Sequence, residues 1–397
     1  MKSYITIEHP GDCCGCGACL NACPKSAITM KEDEAGFIFP AVDETLCVSC
    51  GKCVDVCVFK DKQVGAADGE PVVYAAAAKD SAVLEKSSSG GVFTSLANAV
   101  LDKGGAVFGA AWTDGITLAH LCIESKDELN RLRGSKYVQS NTGNCYRQAK
   151  QILCDGRPVL YCGTPCQIAG LKAFLGKDYE NLLTADLVCH GVPSMKMLRD
   201  DLKAVAGDKF DEIKDVRFRD KSKGWAVKCS IDTDNSHIKY DAGTSPYYFF
   251  FLKGGIYRES CYNCRFPSEN RQGDITLGDY WGVPLDLVAK LGDVNPDKGI
   301  SCVLVNTQKG KEWFDSVSGT LSFAKSSREN AEKRNKQLVS CSTHLPEHDT
   351  LLGGYIEKGY PAYREAYKKH TKDHIVRGVK NMIPAKVKRK INDVISK

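Results

Sequence analysis

The chain has 397 residues, 43% hydrophobic and 26% charged, more length than one ordinary core needs, so two or three soluble globular domains are expected. No stretch approaches the roughly 18 uninterrupted apolar residues of a membrane span, and Met1–Asp12 lacks the apolar run and cleavage site of an export signal. A cytoplasmic protein is therefore expected, and because the net charge of +5 comes from Arg364–Lys397 (eleven Lys/Arg against three Asp/Glu), no nucleic-acid partner is predicted for the body.

Residues 1–65 are cysteine-rich and short of periodic helices, and are expected to form a small α+β ferredoxin-like domain. The polar stretch Lys62–Pro71 reads as a linker. From Val72 onward strands and helices alternate: a buried strand at Val72–Ala78, a helix at Gly91–Leu101, a strand at Ala106–Ala111 and a helix at Cys145–Leu153. Then follow a strand at Pro158–Cys162, a helix at Pro165–Leu175, a strand at Leu182–Cys189 and a helix at Lys196–Val205. That order predicts an α/β core with a mainly parallel sheet, spanning 70–345. Val216–Tyr240 changes character and alternates like antiparallel strands. Residues 346–397 are expected to be a basic helical tail, interrupted at Pro384, with a thin apolar stripe at Ile391, Val394 and Ile395. A docked or solvated helix is the favoured reading of that tail, and contact with an anionic membrane or acidic partner is the alternative.

Twenty cysteines stand out, nine of them within Cys13–Cys57. Without an export signal, tight Cys-x-x-Cys spacing points to metal ligation over disulfides. Cys13, Cys16, Cys19 and Cys23, followed by Pro24, repeat as Cys47, Cys50, Cys53 and Cys57. A cubane cluster needs four thiolates at the corners of a tetrahedron. Three cysteines at i, i+3 and i+6 supply three corners, and the fourth leaves along a helix to the neighbouring cluster. Cys13, Cys16, Cys19 and Cys57 are thus assigned to one [4Fe–4S] cluster, and Cys47, Cys50, Cys53 and Cys23 to a second. Gly15, Gly17 and Gly51 suit loops that wrap a cluster at positive φ. Val58 stands where a proline would follow the second motif, which costs no ligand, and Cys14 is left as a spare structural residue. Zinc is the alternative for four-cysteine sites, but two complete interleaved motifs favour iron–sulfur.

A second group of motifs lies in the core. Tyr161-Cys162-Gly163-Thr164-Pro165-Cys166-Gln167 falls where a buried strand meets a helix, with Thr164 suited to the N-cap and Pro165 to the first turn. Cys166 is then at a helix N-terminus, where the dipole favours thiolate. Cys189-His190-Gly191 follows another strand, and Cys261-x2-Cys264 comes later. Ligands of open α/β sheets gather beyond the carboxyl ends of the strands, where these residues are expected.

The segments YCGTPCQIAGLK (161–172), DLVCHGVPS (186–194), FRDK (218–221), SCYNCRF (260–266) and GDITLGDYWG (273–282) occur in an order that resembles the family of coenzyme F420 hydrogenase/dehydrogenase beta subunits, over roughly 70–345. The resemblance implies FAD in the core, a further [4Fe–4S] cluster beside it, and electron exchange with a deazaflavin or another donor. Carried onto this sequence, it makes Cys162, Cys166, Cys261 and Cys264 the core-cluster ligands, with Cys189 able to replace one. Cys122, Cys145, Cys154, Cys229, Cys302 and Cys341 are expected to be small buried hydrophobes. For FAD the candidate loop is Ser87–Gly91, in which Ser88, Ser89, Gly90 and Gly91 precede a helix, since hydroxyls and bare N–H groups there suit a pyrophosphate. Lys136 and Tyr137 lie in a second segment that is similar to one near the family's flavin, and Thr164 is grouped with the cofactor contacts. Lys136 is read as a stabiliser of reduced flavin or as a solvated lysine, and His190 as a proton donor or a core histidine. Trp225 and Trp281 are expected in the core.

FAD and three clusters would convert between two-electron and one-electron chemistry. The expected activity is an oxidoreductase using ferredoxin or reduced F420 as electron partner and a small-molecule substrate. The alternative is a non-catalytic electron-transfer subunit of a larger complex, docked by the basic tail. No G-x-G-x-x-G follows a strand, so nicotinamide binding is unsupported.

Overall fold

The computed structural model describes residues 4–59, 69–113, 116–222, 224–370 and 387. The first module holds a short helix at Ala18–Ala22, an antiparallel hairpin of β1 (Ile28–Glu32) and β2 (Ile38–Val42), and a second short helix at Lys52–Asp55. Asp33 makes the hairpin turn by accepting the N–H groups of Ala35 and Phe37 at 3.0 and 2.8 Å, the local bonding that favours aspartate in turns. The wrapping loops adopt the left-handed conformation expected of them, with φ of +66°, +78° and +76° at Gly15, Gly17 and Gly51.

The core is built on β3 (Val72–Ala78), β4 (Ala106–Thr113), β5 (Thr117–Ile123), β6 (Val159–Gly163) and β7 (Leu182–Leu187). A separate antiparallel sheet then forms from β8 (Ile213–Arg217), β9 (Cys229–Thr233) and β10 (His237–Tyr240), and β11 (Ile275–Asp279), β12 (Ser301–Val305) and β13 (Leu321–Ser326) return to the core. The core sheet has eight strands in the order β13-β3-β12-β11-β7-β6-β4-β5. Five of these eight run in one direction, and β11, β7, β6 and β4 form a continuous parallel stretch. The flanks are antiparallel, because β5 folds directly back on β4 and β12 lies between β3 and β11. The sheet is therefore mixed at its edges and parallel at its centre.

Both faces of the centre are covered, so the strands are apolar on both sides. Along β6 the side chains alternate: Leu160 and Cys162 pack with the helices Val92–Asp102 and Gln308–Val317, and Val159 and Tyr161 pack with Cys145–Cys154 and Pro165–Leu175. The N-terminal module docks on this second face, where Cys16 packs with the same helices. A Cβ at Gly170 would lie 2.9 Å from the Cys16 sulfur, so only glycine permits that approach.

The helices His348–Lys358 and Tyr360–Lys368 begin the tail and dock through buried Leu351, Tyr355 and Tyr363. The rest of the basic tail, including Pro384, Ile391, Val394 and Ile395, and most of the linker lie outside the described residues. Among the described residues no helix is long and apolar enough to cross a membrane.

Candidate metal centres and their surroundings

Cys13 and Cys19 are pushed toward the neutral thiol by burial first and then by neighbouring thiols, chiefly Cys16 and Cys57. The four sulfurs are thus near neighbours. The other four module cysteines, Cys23, Cys47, Cys50 and Cys53, line one open cavity of about 340 Å³ beside Tyr4 and Pro24. The fold brings together the two sets that the interleaved spacing separates. Cys50 is exposed and Cys53 buried, so the second set faces solvent from one side.

A larger recess of about 560 Å³ lies in the core, and its wall includes Cys166, Cys189, Cys261 and Cys264. These sulfurs also influence one another's ionisation, after the burial that dominates at Cys189, Cys261 and Cys264. Thr164 is the N-cap and Pro165 the first residue of the helix that carries Cys166. Cys166 is drawn down to about 7 by a hydrogen bond from Cys14, helped by the Thr164 hydroxyl at 3.2 Å and the positive charge of Arg258.

Cys162 does not line this recess. It shares the face of Leu160, on the side of the sheet away from Cys166, because strand side chains alternate. Burial pushes its thiol up to about 12, with Asp186 adding to the effect. Cys189, which lies two residues beyond β7, lines the recess instead, as does Cys14. Cys341 also lines the recess and Cys154 is exposed, unlike the buried hydrophobes expected of them; Cys145, Cys229 and Cys302 are buried as such.

Cys14 stands between the two regions. Its thiol contacts both Cys16 and Cys166, and these contacts, together with burial, hold it firmly protonated. Arg258, 1% exposed, ties the same junction: Nε donates to Cys13 O at 2.6 Å, and Nη1 to Ile38 O and Gln139 Oε1 at 2.8 and 3.2 Å. Arg147 donates to the carbonyls of Leu20, Asn21 and Cys23 at the end of the first helix. The module is thus clamped to the core by one buried and one half-buried guanidinium group, Arg258 and Arg147, neither singled out by sequence reading.

The flavin residues divide. Ser88 Oγ accepts the Ser135 N–H at 2.6 Å, which brings together the two segments expected at a flavin. However, the Ser89 hydroxyl donates to Ile300 O at 2.9 Å and the Gly90 N–H to Ser301 Oγ at 2.9 Å. A Cβ at Gly90 would sit 2.2 Å from Ala76 O, so Gly90 is packed against the sheet. Gly91 precedes the helix Val92–Asp102 with φ +84°. Lys136 is neither solvated nor aimed at a ligand: its Nζ lies 2.8–3.2 Å from four carbonyls, of Ala110, Arg131, Leu132 and Arg133. An ammonium has three donors, and these acceptors already occupy them, so the expected role on reduced flavin is corrected to that of a backbone clamp. His190 is on the exposed rim of the core recess.

A different group carries unpartnered polar atoms. Arg219 pairs with Asp279 and donates to the Tyr137 hydroxyl at 3.2 Å. Its guanidinium lies 4.9 Å from the Trp281 ring centre, and Trp281 stacks on Trp225 at 4.4 Å. Arg219 Nη2, Asp279 Oδ1 and Trp225 Nε1 are buried without a protein partner among the described residues. Buried orphans of this kind fit a missing polar ligand.

Residues 73–145 match the model for the N-terminal part of the coenzyme F420 hydrogenase/dehydrogenase beta subunit, 156–328 the model for its C-terminal part, and 12–60 a 4Fe–4S dicluster domain. The chain is 25% identical over 356 residues to an uncharacterised protein of Methanocaldococcus jannaschii, covering 79% of this chain and 90% of that one. It is 23% identical over 339 residues to a subunit of the F420H2 dehydrogenase of Methanosarcina mazei, covering 80% and 85%. A chain of the F420-reducing [NiFe] hydrogenase complex from Methanosarcina barkeri aligns with a TM-score of 0.46 at 19% identity, over 76% of this chain and 92% of that one.

Proposed function

The chain belongs to the family of coenzyme F420 hydrogenase/dehydrogenase beta subunits, with a 4Fe–4S dicluster domain ahead of the family core, and from that we propose that it is an iron–sulfur flavoprotein oxidoreductase exchanging electrons with reduced F420. Its electron path runs through three [4Fe–4S] clusters: Cys23, Cys47, Cys50 and Cys53 at the exposed side, then Cys13, Cys16, Cys19 and Cys57, then Cys166, Cys189, Cys261 and Cys264. The observation that carries this reading is the convergence of the last four cysteines, from three separate segments, on one recess, with Cys14 linking Cys166 to Cys16. Six cysteines line this space, Cys14 and Cys341 besides these four, and four thiolates suffice for a cubane, whose remaining bonds are to its own sulfide.

FAD, when bound, supplies the exchange between hydride and single-electron chemistry. The residues that fit it are those with orphaned atoms: Arg219, Asp279 and Trp225, beside Tyr137 and the Trp281 face. The Ser88–Gly91 loop fits a pyrophosphate less well, because two of its donors are already bonded within the protein. The chain's own part is to orient and to exclude water. Arg219 is fixed by Asp279, Tyr137 and Ala226 O, so its free Nη2 points without rearrangement. Thr164 and Arg258 favour thiolate at Cys166. His190, at the rim, is the remaining candidate for moving a proton to or from substrate.

A second reading is an electron-carrying subunit without its own substrate, favoured by the likeness to a relative named as part of a dehydrogenase. Anaerobically purified protein should hold about twelve irons in three four-iron clusters and one FAD, and reduced F420 should bleach its visible absorbance. About eight irons and no flavin would leave only the module and overturn the proposed path. Bleaching by reduced F420 without turnover of any small molecule, together with isolation in a stable larger assembly, would favour the second reading.

A further inference from the structure

Outside the cysteine sites one cluster of ligating side chains remains without a task among the described residues. Glu259 lies in the turn leading to Cys261, and His344 and His348 lie four residues apart, just before and at the start of the tail; their ligand atoms are all within 4.8 Å of one another. His344 Nε2 is 3.2 Å from Glu259 Oε1, and His348 Nε2 is 3.7 Å from Glu259 Oε2.

His348 is the informative member, its side chain only 2% exposed. Its Nδ1 lies 2.9 Å from the Gly255 carbonyl and 3.1 Å from the Tyr262 hydroxyl. A carbonyl can only accept, so Nδ1 carries the proton and, in the neutral ring, Nε2 presents a lone pair. That lone pair faces a carboxylate oxygen across 3.7 Å, which is too long for a hydrogen bond and unfavourable for two electron-rich atoms. A cation between them removes the conflict. Ligands about 2.0–2.1 Å from a tetrahedral ion stand roughly 3.3 Å apart, close to the spacings seen here. His344 is oriented by stacking on Tyr262, with ring centres 3.9 Å apart. The Tyr262 hydroxyl is itself fixed, donating to Gly254 O at 2.8 Å and accepting the Tyr257 N–H at 3.0 Å. Histidines braced through their second nitrogen are the usual arrangement at metal sites.

We propose that Glu259, His344 and His348 bind one zinc ion, which staples the segment covering the core recess to the turn that bears Cys261. Two imidazoles and a carboxylate suit zinc better than calcium or magnesium, which take oxygen ligands. The side chains of Glu259 and His344 are 34% and 40% exposed, which leaves a fourth position open to water. The staple acts on the recess directly: Cys341 and Ser342 line it, Cys341 donates to Tyr262 O at 3.0 Å and Ser342 to His190 O at 2.5 Å. Zinc here does not depend on the electron path, since none of the three ligands is a cysteine.

The test is metal analysis of the full chain purified anaerobically and equilibrated with zinc salt, then freed of loose metal. About one zinc per chain is expected in addition to the iron. His344→Ala and Glu259→Gln should each lose that zinc while keeping iron content and visible absorbance, which also shows that they fold. Tyr262→Phe, which removes one of the two partners of His348 Nδ1 and leaves the Gly255 carbonyl, should weaken zinc by up to about 10-fold in competition with a chromogenic chelator. A parent chain that retains no zinc, or variants that retain as much as the parent, would overturn the site. Loss of the iron path with zinc retained would leave it standing.

Discussion

The module and the core recess both gather cysteines, by opposite means. In the module each set draws three sulfurs from one seven-residue loop, and the fourth crosses from the other motif. In the core, Cys166 follows β6, Cys189 follows β7 and Cys261 and Cys264 sit in a distant turn. The module therefore carries its ligand geometry locally, whereas the core site exists only once parallel strands are in register. Damage to a module ligand should stay local. Damage to the core site tests the fold itself.

The largest expected effect separates Cys189 from Cys162. Cys189→Ala should drop the iron content from about twelve to about eight per chain, the loss of one four-iron cluster, with the module signals intact in electron paramagnetic resonance. Cys162→Ala, on the opposite face of the sheet, should keep all of it. The reverse result would mean that β6 does not place Cys162 as described.

The module was legible because its ligands repeat at fixed spacing, and the helix Pro165–Leu175 because Thr164 and Pro165 mark its start. Cys162 was misplaced for a physical reason. Cys162 was grouped with Cys166 from the resemblance, yet it lies within β6, where alternation turns it to the face of Leu160 and away from the recess that Cys166 lines from the following helix. The parallel centre followed from alternating strands and helices, but the antiparallel flanks depend on pairings between distant segments such as β3 and β12. β12 itself, SCVLV, is buried at every residue and gives no period to read. Lys136 and the Glu259 site were equally hidden: the first needs the direction of a side chain, the second joins residues 85 apart.

The next test loosens the junction between the regions. Arg258→Met leaves the carbonyls of Cys13 and Ile38 and the Gln139 side chain without their donor. A loss of roughly 3–5 kcal/mol is expected, seen as a lower anaerobic Tm and faster proteolytic release of the module. A change below about 1 kcal/mol would show that the module is held by Arg147 and apolar contact alone.

The core should also answer to acid through a single residue. His120 is 4% exposed, with Nε2–H donating to Cys162 O at 3.1 Å and Nδ1 accepting from the Ser140 hydroxyl at 2.9 Å. Desolvation lowers its pKa to about 4. The unfolded chain binds this proton below about 6.5 and the native chain resists it, so stability falls as the pH falls from about 6.5 to 4, by up to about 3 kcal/mol. His120→Gln should flatten that part of the Tm profile relative to the parent. An unchanged slope would assign the acid loss to the clusters or to other groups.

The smallest effect lies where the two regions meet. Cys14 has one thiol proton and contacts two proposed ligands, Cys16 and Cys166, in different clusters. A donor to a ligand sulfur favours the reduced, more negative cluster and raises its potential. A weak hydrogen bond of about 0.5 kcal/mol corresponds to roughly 20 mV for one electron, so Cys14→Ala should lower the potentials of both flanking clusters by about that amount. Because one proton serves both, reducing either cluster draws the donor away from the other, and Cys14→Ala should also weaken the dependence of each potential on the state of its neighbour. Cys14→Ser, which keeps a donor, should restore most of the shift. Redox titration followed by electron paramagnetic resonance reads all three, and the cluster of Cys23, Cys47, Cys50 and Cys53, which Cys14 does not touch, serves as the internal reference. Potentials that stay fixed in Cys14→Ala would reduce Cys14 to packing, and would make the module and the core two sites in contact without a shared proton.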